Sequence, residues 1–364
     1  MNGLQSLVQN LPSATSLYEP LIDSGYVPDV ALRLGIRGLL LQRSKEIEGL
    51  SVDELDKRKN EYIARLKGEK TIAIATKEAN EQHYELPTEF FRLCLGKRFK
   101  YSSCYFGEDV GKNSMTLDEA EEAMLDLYVQ RAQVQDGMTV LDLGCGWGSL
   151  SLYLAERFPR CTIKALSNSA TQRQYIMGQA AALGFNNLEV FTGDINEFEM
   201  TAQFDRILSI EMFEHMKNYQ ELFHKVSQWL KPETGLLFIH VFAHRSLPYD
   251  FVTTESNSWM AKHFFTGGTM PSQDLFMWFQ RDLEVVRRWT VDGKHYGQTS
   301  EEWLKRLDKN KKLVMPLLKD VYGNDEQANI WFQRWRLFYL SVAETFNFAN
   351  GQDWVVMHYL LKRH

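Results

Sequence analysis

The stretch VLDLGCGWGSL, residues 140–150, constrains the fold more than any other part of the chain. An apolar strand runs to Asp142, and Gly144, Gly146 and Gly148 then lead into a helix-forming run. Glycines at a strand-to-helix turn let the backbone come close to a ligand, and the helix N-terminus offers N–H groups with no partner of their own. The flanking pattern fits such a crevice. MTVLDLG, CTIKALS, LEVFTGD, FDRILSI and GLLFIHVF read as strands, and SLYLAERFP, ATQRQYIMGQAAALG and NYQELFHKVSQWLK as the helices between them. Strands and helices alternating at this length predict a doubly wound parallel sheet.

Four regions follow from the pattern. Residues 1–115 read as an N-terminal helical region and 116–245 as a Rossmann-like core. Residues 246–345 read as a mostly helical substrate cap containing one core strand, EVVRRWTVDG, and 346–364 as the final core strand. KNSMTLDEAEEAMLDLYVQRAQV reads as one amphipathic helix, with Thr116 as its cap and acids in its first turn.

Composition narrows the partners. A net charge of −6 gives no global field for nucleic acid or anionic lipid. No apolar run approaches the roughly 20 residues of a membrane span. The first twenty residues lack Arg and Lys and show no signal-peptide pattern, so a cytoplasmic protein is expected, with its four cysteines reduced. Neither the cysteines nor the nine histidines show zinc-ligand spacing, and no metal is expected. A homodimer through the N-terminal helices is compatible with the sequence, though no motif specifies one.

The glycine turn alone leaves two cofactor classes open. A nicotinamide dinucleotide site calls for an acid about 20 residues further on, at the ribose. The second strand instead ends in KALSNSATQ, and the glycines are spaced GxGxG. Hydride transfer is therefore weakly supported.

DLGCGWG resembles the first motif of S-adenosylmethionine (SAM)-dependent methyltransferases. HYELPTEFF, YSSCYFGED, MTLDEAEEAMLDL, SIEMFEHMKNY, FFTGGTMPS and GKHYGQTSEEWLKRLD follow in the order found in one superfamily. It comprises the cyclopropane fatty acid synthases and the plant coclaurine-type N-methyltransferases, and the resemblance covers about residues 80–364. It implies a class I Rossmann-like methyltransferase fold with SAM as co-substrate. By the same resemblance Gly144 and Gly146 line the amino-acid end of SAM. Ser167, Asn168 and Gln172 stand at the ribose, Asp194 and Ile195 at the adenine, and Tyr101 and Ser102 approach from the N-terminal side.

The two branches differ at SIEMFEHMKNY. The lipid synthases are expected to carry glycine where this chain has Glu211, and Cys where it has Ser103. That Cys helps hold a bicarbonate ion, the base of the lipid reaction. Glu214, His240 and Tyr296 stand at other positions resembling the bicarbonate site. An anion site beside an added carboxylate is electrostatically worse. The combination therefore resembles the coclaurine N-methyltransferase branch, whose Glu–His pair works around a substrate amine.

On a helix, Glu211, Glu214 and His215 would share one face at i, i+3 and i+4. An alkylamine arrives mostly protonated at neutral pH, since its pKa is near the 10.4 or so of lysine. Two carboxylates attract that cation, and His215 can accept its proton. His240 is either a support for the triplet or a satisfied core histidine. Seven of the nine tryptophans lie after residue 245, where aromatic side chains serve as core or as a cap over a cationic aromatic substrate. The cap candidates are Trp259, Phe264, Tyr296, Trp331, Trp335 and Phe338, with Tyr84 entering from HYELP. FFTGG reads as a turn bringing Phe264 or Phe265 near the site.

The expected activity is SAM-dependent N-methylation of a small aralkylamine. The alternatives are a cyclopropane synthase-like lipid methyltransferase and a SAM-binding protein without catalysis.

Overall fold

The computed structural model describes residues 14–74, 86–108, 110–111, 115–252 and 258–364. Tyr84 lies outside them. The strands in chain order are β1 (Thr139–Leu143), β2 (Thr162–Ser167), β3 (Leu188–Thr192), β4 (Arg206–Ile210), β5 (Leu236–His244), β6 (Tyr249–Asp250), β7 (Thr269–Met270), β8 (Leu283–Val291) and β9 (Trp354–Arg363). Seven of them form one sheet in the order β3-β2-β1-β4-β5-β9-β8, while β6 and β7 pair as a small separate ribbon. The first five strands are parallel, as the alternation predicts. The last pair departs from a purely parallel sheet, because β9 runs antiparallel to both β5 and β8.

The central strands are apolar on both faces, as a covered parallel sheet requires. Val140, Leu208 and Phe238 join one core, and Leu141, Ile207 and Ile239 join the other. The first face is covered by α5 (Leu117–Ala132), α6 (Ser149–Arg157) and α7 (Ala170–Leu183); the second is packed by α3 (Val52–Lys67) and α8 (Tyr219–Trp229). Helix α5 begins with a capping box, in which the Thr116 hydroxyl accepts from Glu119 N–H and the Glu119 carboxylate accepts from Thr116 N–H.

Two further groups of helices complete the fold. The N-terminal α1 (Ala14–Asp23) and α2 (Asp29–Glu48) are followed, after α3, by α4 (Thr88–Cys94). After the sheet strand β5 come α9 (Ser258–His263), α10 (Lys294–Lys309), α11 (Lys311–Tyr322) and α12 (Asp325–Asn347). No residue of α2 is fully buried; Leu32, Ile36 and Leu40 pack partly buried on the core, and Arg33 and Arg37 pair with Glu344 on α12. No helix among the described residues is long and apolar enough to cross a membrane.

Candidate active site

The glycine turn after β1 forms one wall of a crevice. Gly144, Gly146 and Gly148 all have positive φ (82°, 52° and 78°), a region other residues enter only with strain. A Cβ on Gly144 would lie 2.7 Å from Met212, and one on Gly148 would lie 2.5 Å from Ile176. At Gly146 it would meet nothing within 4 Å. The first and third glycines therefore make room for protein, and the middle one faces open space. The crevice is lined by this turn, by Phe99–Ser102, and by Ile210 and Glu211. It lies where the sheet order leaves β1 for β2 on one side and for β4 on the other, the place where open α/β sheets bind ligands.

Several donors there await a ligand. Ser149 Oγ, Trp147 Nε1 and Gln172 Nε2 are buried without a hydrogen-bond partner among the described residues. The Ser167 hydroxyl donates to Gln172 Oε1 at 2.6 Å and so fixes the amide at the end of β2. Asn196 holds the Asp194 carboxylate through its backbone and side-chain N–H groups, at 2.8 and 2.9 Å. Ile195 beside it is buried. An open backbone face with unpaired donors fits a ligand bearing carboxylate and hydroxyl acceptors, as SAM does. Among the described residues no group of three or more His, Cys, Asp and Glu side chains could hold a metal ion.

The acidic triplet does not lie on one helix, which corrects the helical spacing expected for it. Strand β4 ends at Ile210, and Glu211 N–H extends the pairing to His240 O at 2.9 Å. Glu211 then turns the chain with φ of 49°, so no helix can continue through it. Only Phe213–His215 form a single 3₁₀ turn. Even so, Glu211, Glu214 and His215 line the same cleft.

The two carboxylates have opposite surroundings. Glu211 accepts hydrogen bonds from Ser103 N–H (2.9 Å), from the Tyr296 hydroxyl (2.7 Å) and from His240 Nε2 (3.0 Å). Lys100, buried, donates at 2.6 Å to both Ser102 Oγ and Ser103 O, and its field opposes protonation of Glu211. Burial pushes the Glu211 pKa up against these donors. Glu214 is 1% exposed, and its Oε2 has no hydrogen-bond partner among the described residues. Burial first, and the Glu211 charge second, push its pKa well above the carboxylate range. His215 is half-buried, with its ring 4.7 Å from that of Phe265.

The cleft beyond these groups holds about 830 Å³, mouth included. Of the cap candidates, Tyr296 and Phe338 line it. Phe264 stacks on Phe338 at 4.6 Å and packs on Trp335 at 5.0 Å, in the layer behind. Trp259 packs on Phe264, and Trp331 stacks on Tyr322 at 4.6 Å; neither is among the lining residues.

These features match known proteins along most of the chain. Residues 72–349 match the mycolic acid cyclopropane synthetase family. The chain is 41% identical over 295 residues to an (S)-coclaurine N-methyltransferase of Thalictrum flavum subsp. glaucum, covering 80% of each protein. A crystal structure of a coclaurine N-methyltransferase bound to N-methylheliamine and S-adenosylhomocysteine (SAH) superposes with a TM-score of 0.92. The two are 38% identical, over 96% of this chain and 100% of that one. Identity to the cyclopropane-fatty-acyl-phospholipid synthase of Escherichia coli (strain K12) is 29%, over 76% of this chain and 66% of that protein. The chain belongs to the coclaurine N-methyltransferase family.

As a coclaurine N-methyltransferase-type protein it is a SAM-dependent N-methyltransferase with a class I methyltransferase fold. Its site also contains residues that sequence reasoning passed over. Val342, Thr345 and Phe346 of α12 line the cleft at i+4, i+7 and i+8 from the expected Phe338, a helical stripe visible in the sequence. Phe242 at the end of β5, Trp303 on α10 and Tyr249 on β6 also line it, and no local pattern marks them. Lys100 was missed as well; its only signal is its place directly before YSSCYF.

Proposed function

We propose that this N-methyltransferase acts on a small aralkylamine of the tetrahydroisoquinoline or phenylalkylamine type, with Glu214 and His215 handling the proton. The observation that carries the reading is the Glu211 carboxylate, held by three donors beside an aromatic cleft with a second, unpaired carboxylate. By the resemblance described above, this is where lipid cyclopropane synthases hold bicarbonate. Here a side chain occupies the anion's place, and the adjoining cleft suits a cation.

SAM bound in the crevice supplies an electrophilic methyl group. Gly144, Gly146, Tyr101 and Ser102 would hold its amino-acid end, Ser167, Asn168 and Gln172 its ribose, and Asp194 and Ile195 its adenine. Glu211 stays ionised and attracts the ammonium form of the substrate. Aromatic walls at Tyr296, Phe265 and Phe338 add cation–π attraction. The bound ammonium charge first draws Glu214 into its ionised form, with the carboxyl proton leaving through His215, and the proton on nitrogen then passes to Glu214, leaving the nitrogen lone pair for the methyl carbon. A carboxylate with a raised pKa is closer to an amine than an ordinary one, so the transfer is less uphill. His215, at the same cleft and partly open, returns the proton to water.

The test is methyl transfer from labelled SAM to heliamine and to simple phenylalkylamines, with product analysis by mass spectrometry. A methyl on nitrogen is the expected result. Methylene transfer to unsaturated phospholipid with no amine product would restore the lipid reading, and SAH binding without turnover on either would leave a cofactor-binding protein.

A further inference from the structure

A chain of hydrogen bonds runs from Glu211 along the face of the sheet beneath α5 to Arg131 on that helix. His240 and His358 stand opposite each other across the β5–β9 pair, both fully buried, with ring centroids 4.8 Å apart. His240 Nε2 lies 3.0 Å from Glu211 Oε1, and His240 Nδ1 lies 2.9 Å from His358 Nε2. His358 Nδ1 in turn lies 2.6 Å from Arg131 Nη1.

Both ends fix the direction. A guanidinium only donates, so His358 Nδ1 accepts. Burial keeps both imidazoles neutral, their pKa values far below the usual histidine range, so each ring carries one proton. The His358 proton therefore sits on Nε2 and is donated to His240 Nδ1. That places the His240 proton on Nε2, donated to Glu211. The Tyr128 hydroxyl also lies 2.9 Å from His240 Nδ1.

We propose that Arg131 and His358 are positioning residues for the methyl transfer, which through His240 aim one fixed N–H at Glu211 and hold its carboxylate ionised. The proposal rests on the reading of Glu211 as the anion beside the amine. The chain is a clamp on charge and not a proton exit, because Arg131 has no acceptor to receive a proton. The other charged or titratable groups facing Glu211 are Lys100, which favours its ionised form, Cys104, Tyr296 from α10, Tyr128 from α5, and Glu214, whose charge opposes it. Arg131 itself lies 5.0 Å from the Trp289 ring and within the fields of Tyr105 and Arg287.

The first arm of the test needs no substrate. Histidine labelled with ¹⁵N in the SAH-bound protein should show His240 and His358 as neutral Nε2–H tautomers from about pH 6 to about pH 9. Arg131→Met should let the His358 ring take the other tautomer, and Arg131→Lys should restore the wild-type pattern. An Nδ1–H or imidazolium form of either ring in the wild type would overturn the proposal.

The second arm is kcat/KM for heliamine against pH. Losing a donor raises the Glu211 pKa, so activity is lost at higher pH as the solution is acidified. In Arg131→Met and His358→Phe the acidic limb should move up by about one pH unit, with Arg131→Lys near wild type. A lower Tm with an unmoved limb would mean a structural role only and would overturn the proposal. If the wild type does not methylate heliamine, the substrate reading fails while the tautomers still decide the chain.

Discussion

Glu211 and Glu214 are three residues apart, yet one is surrounded by donors and the other is not. That difference makes a prediction that needs no substrate. The Glu214 pKa is raised in the folded chain, so between the unfolded value near 4.3 and the folded value the native state binds more protons. Stability therefore falls as pH rises through that window. Glu214→Gln removes the titration, and its Tm relative to wild type should increase steadily from about pH 5 to about pH 8. A Tm difference that stays flat with pH would mean that Glu214 is solvated in solution. In catalysis, His215→Ala should lower kcat by at least about tenfold, with partial rescue at higher pH where more amine arrives neutral. Steady-state kinetics against pH decides this, and unchanged kinetics would return His215 to an ordinary polar position. The triplet was legible as a cluster of chemistry. Its shape was not, because the left-handed Glu211 is set by pairing with β5 and not by local propensity.

At the scale of elements, the glycine turn divides into two kinds of position. Gly146→Val should abolish SAH binding in calorimetry, with backbone strain at its φ of 52° as the only cost to the fold, since its Cβ enters open space. Gly148→Ala should instead lower Tm, because its Cβ meets Ile176 at 2.5 Å. If both variants fold and bind alike, the turn is not a cradle. The cap of α5 offers a control, with Thr116→Ala costing about 1 kcal/mol of stability and leaving SAH affinity unchanged. Capping, the glycine turn and the strand–helix alternation were all legible, because each is set by residues close in sequence. The β6–β7 ribbon escaped, being two residues per strand and held by long-range pairing. The His240–His358–Arg131 chain escaped for the same reason, as its members are more than 100 residues apart.

Over the whole molecule, the strand ends of the sheet bring the glycine-turn crevice and the aromatic cleft side by side. The strand ends of β1 and β4 carry the glycine turn on one side and the acidic turn on the other. Segments from beyond β5 supply most of the aromatic wall, while Tyr101 and Glu211 line both the crevice and the cleft. The central claim is that the Glu211 side chain stands where the lipid enzymes hold an added anion. Methyl transfer to heliamine should be measured in carefully degassed buffer, with and without bicarbonate, and with unsaturated phospholipid vesicles as competing acceptor. The amine rate should be the same in both buffers, with no modified lipid. A rate that vanishes without bicarbonate and returns on its addition, or methylene transfer to the vesicles, would contradict the claim.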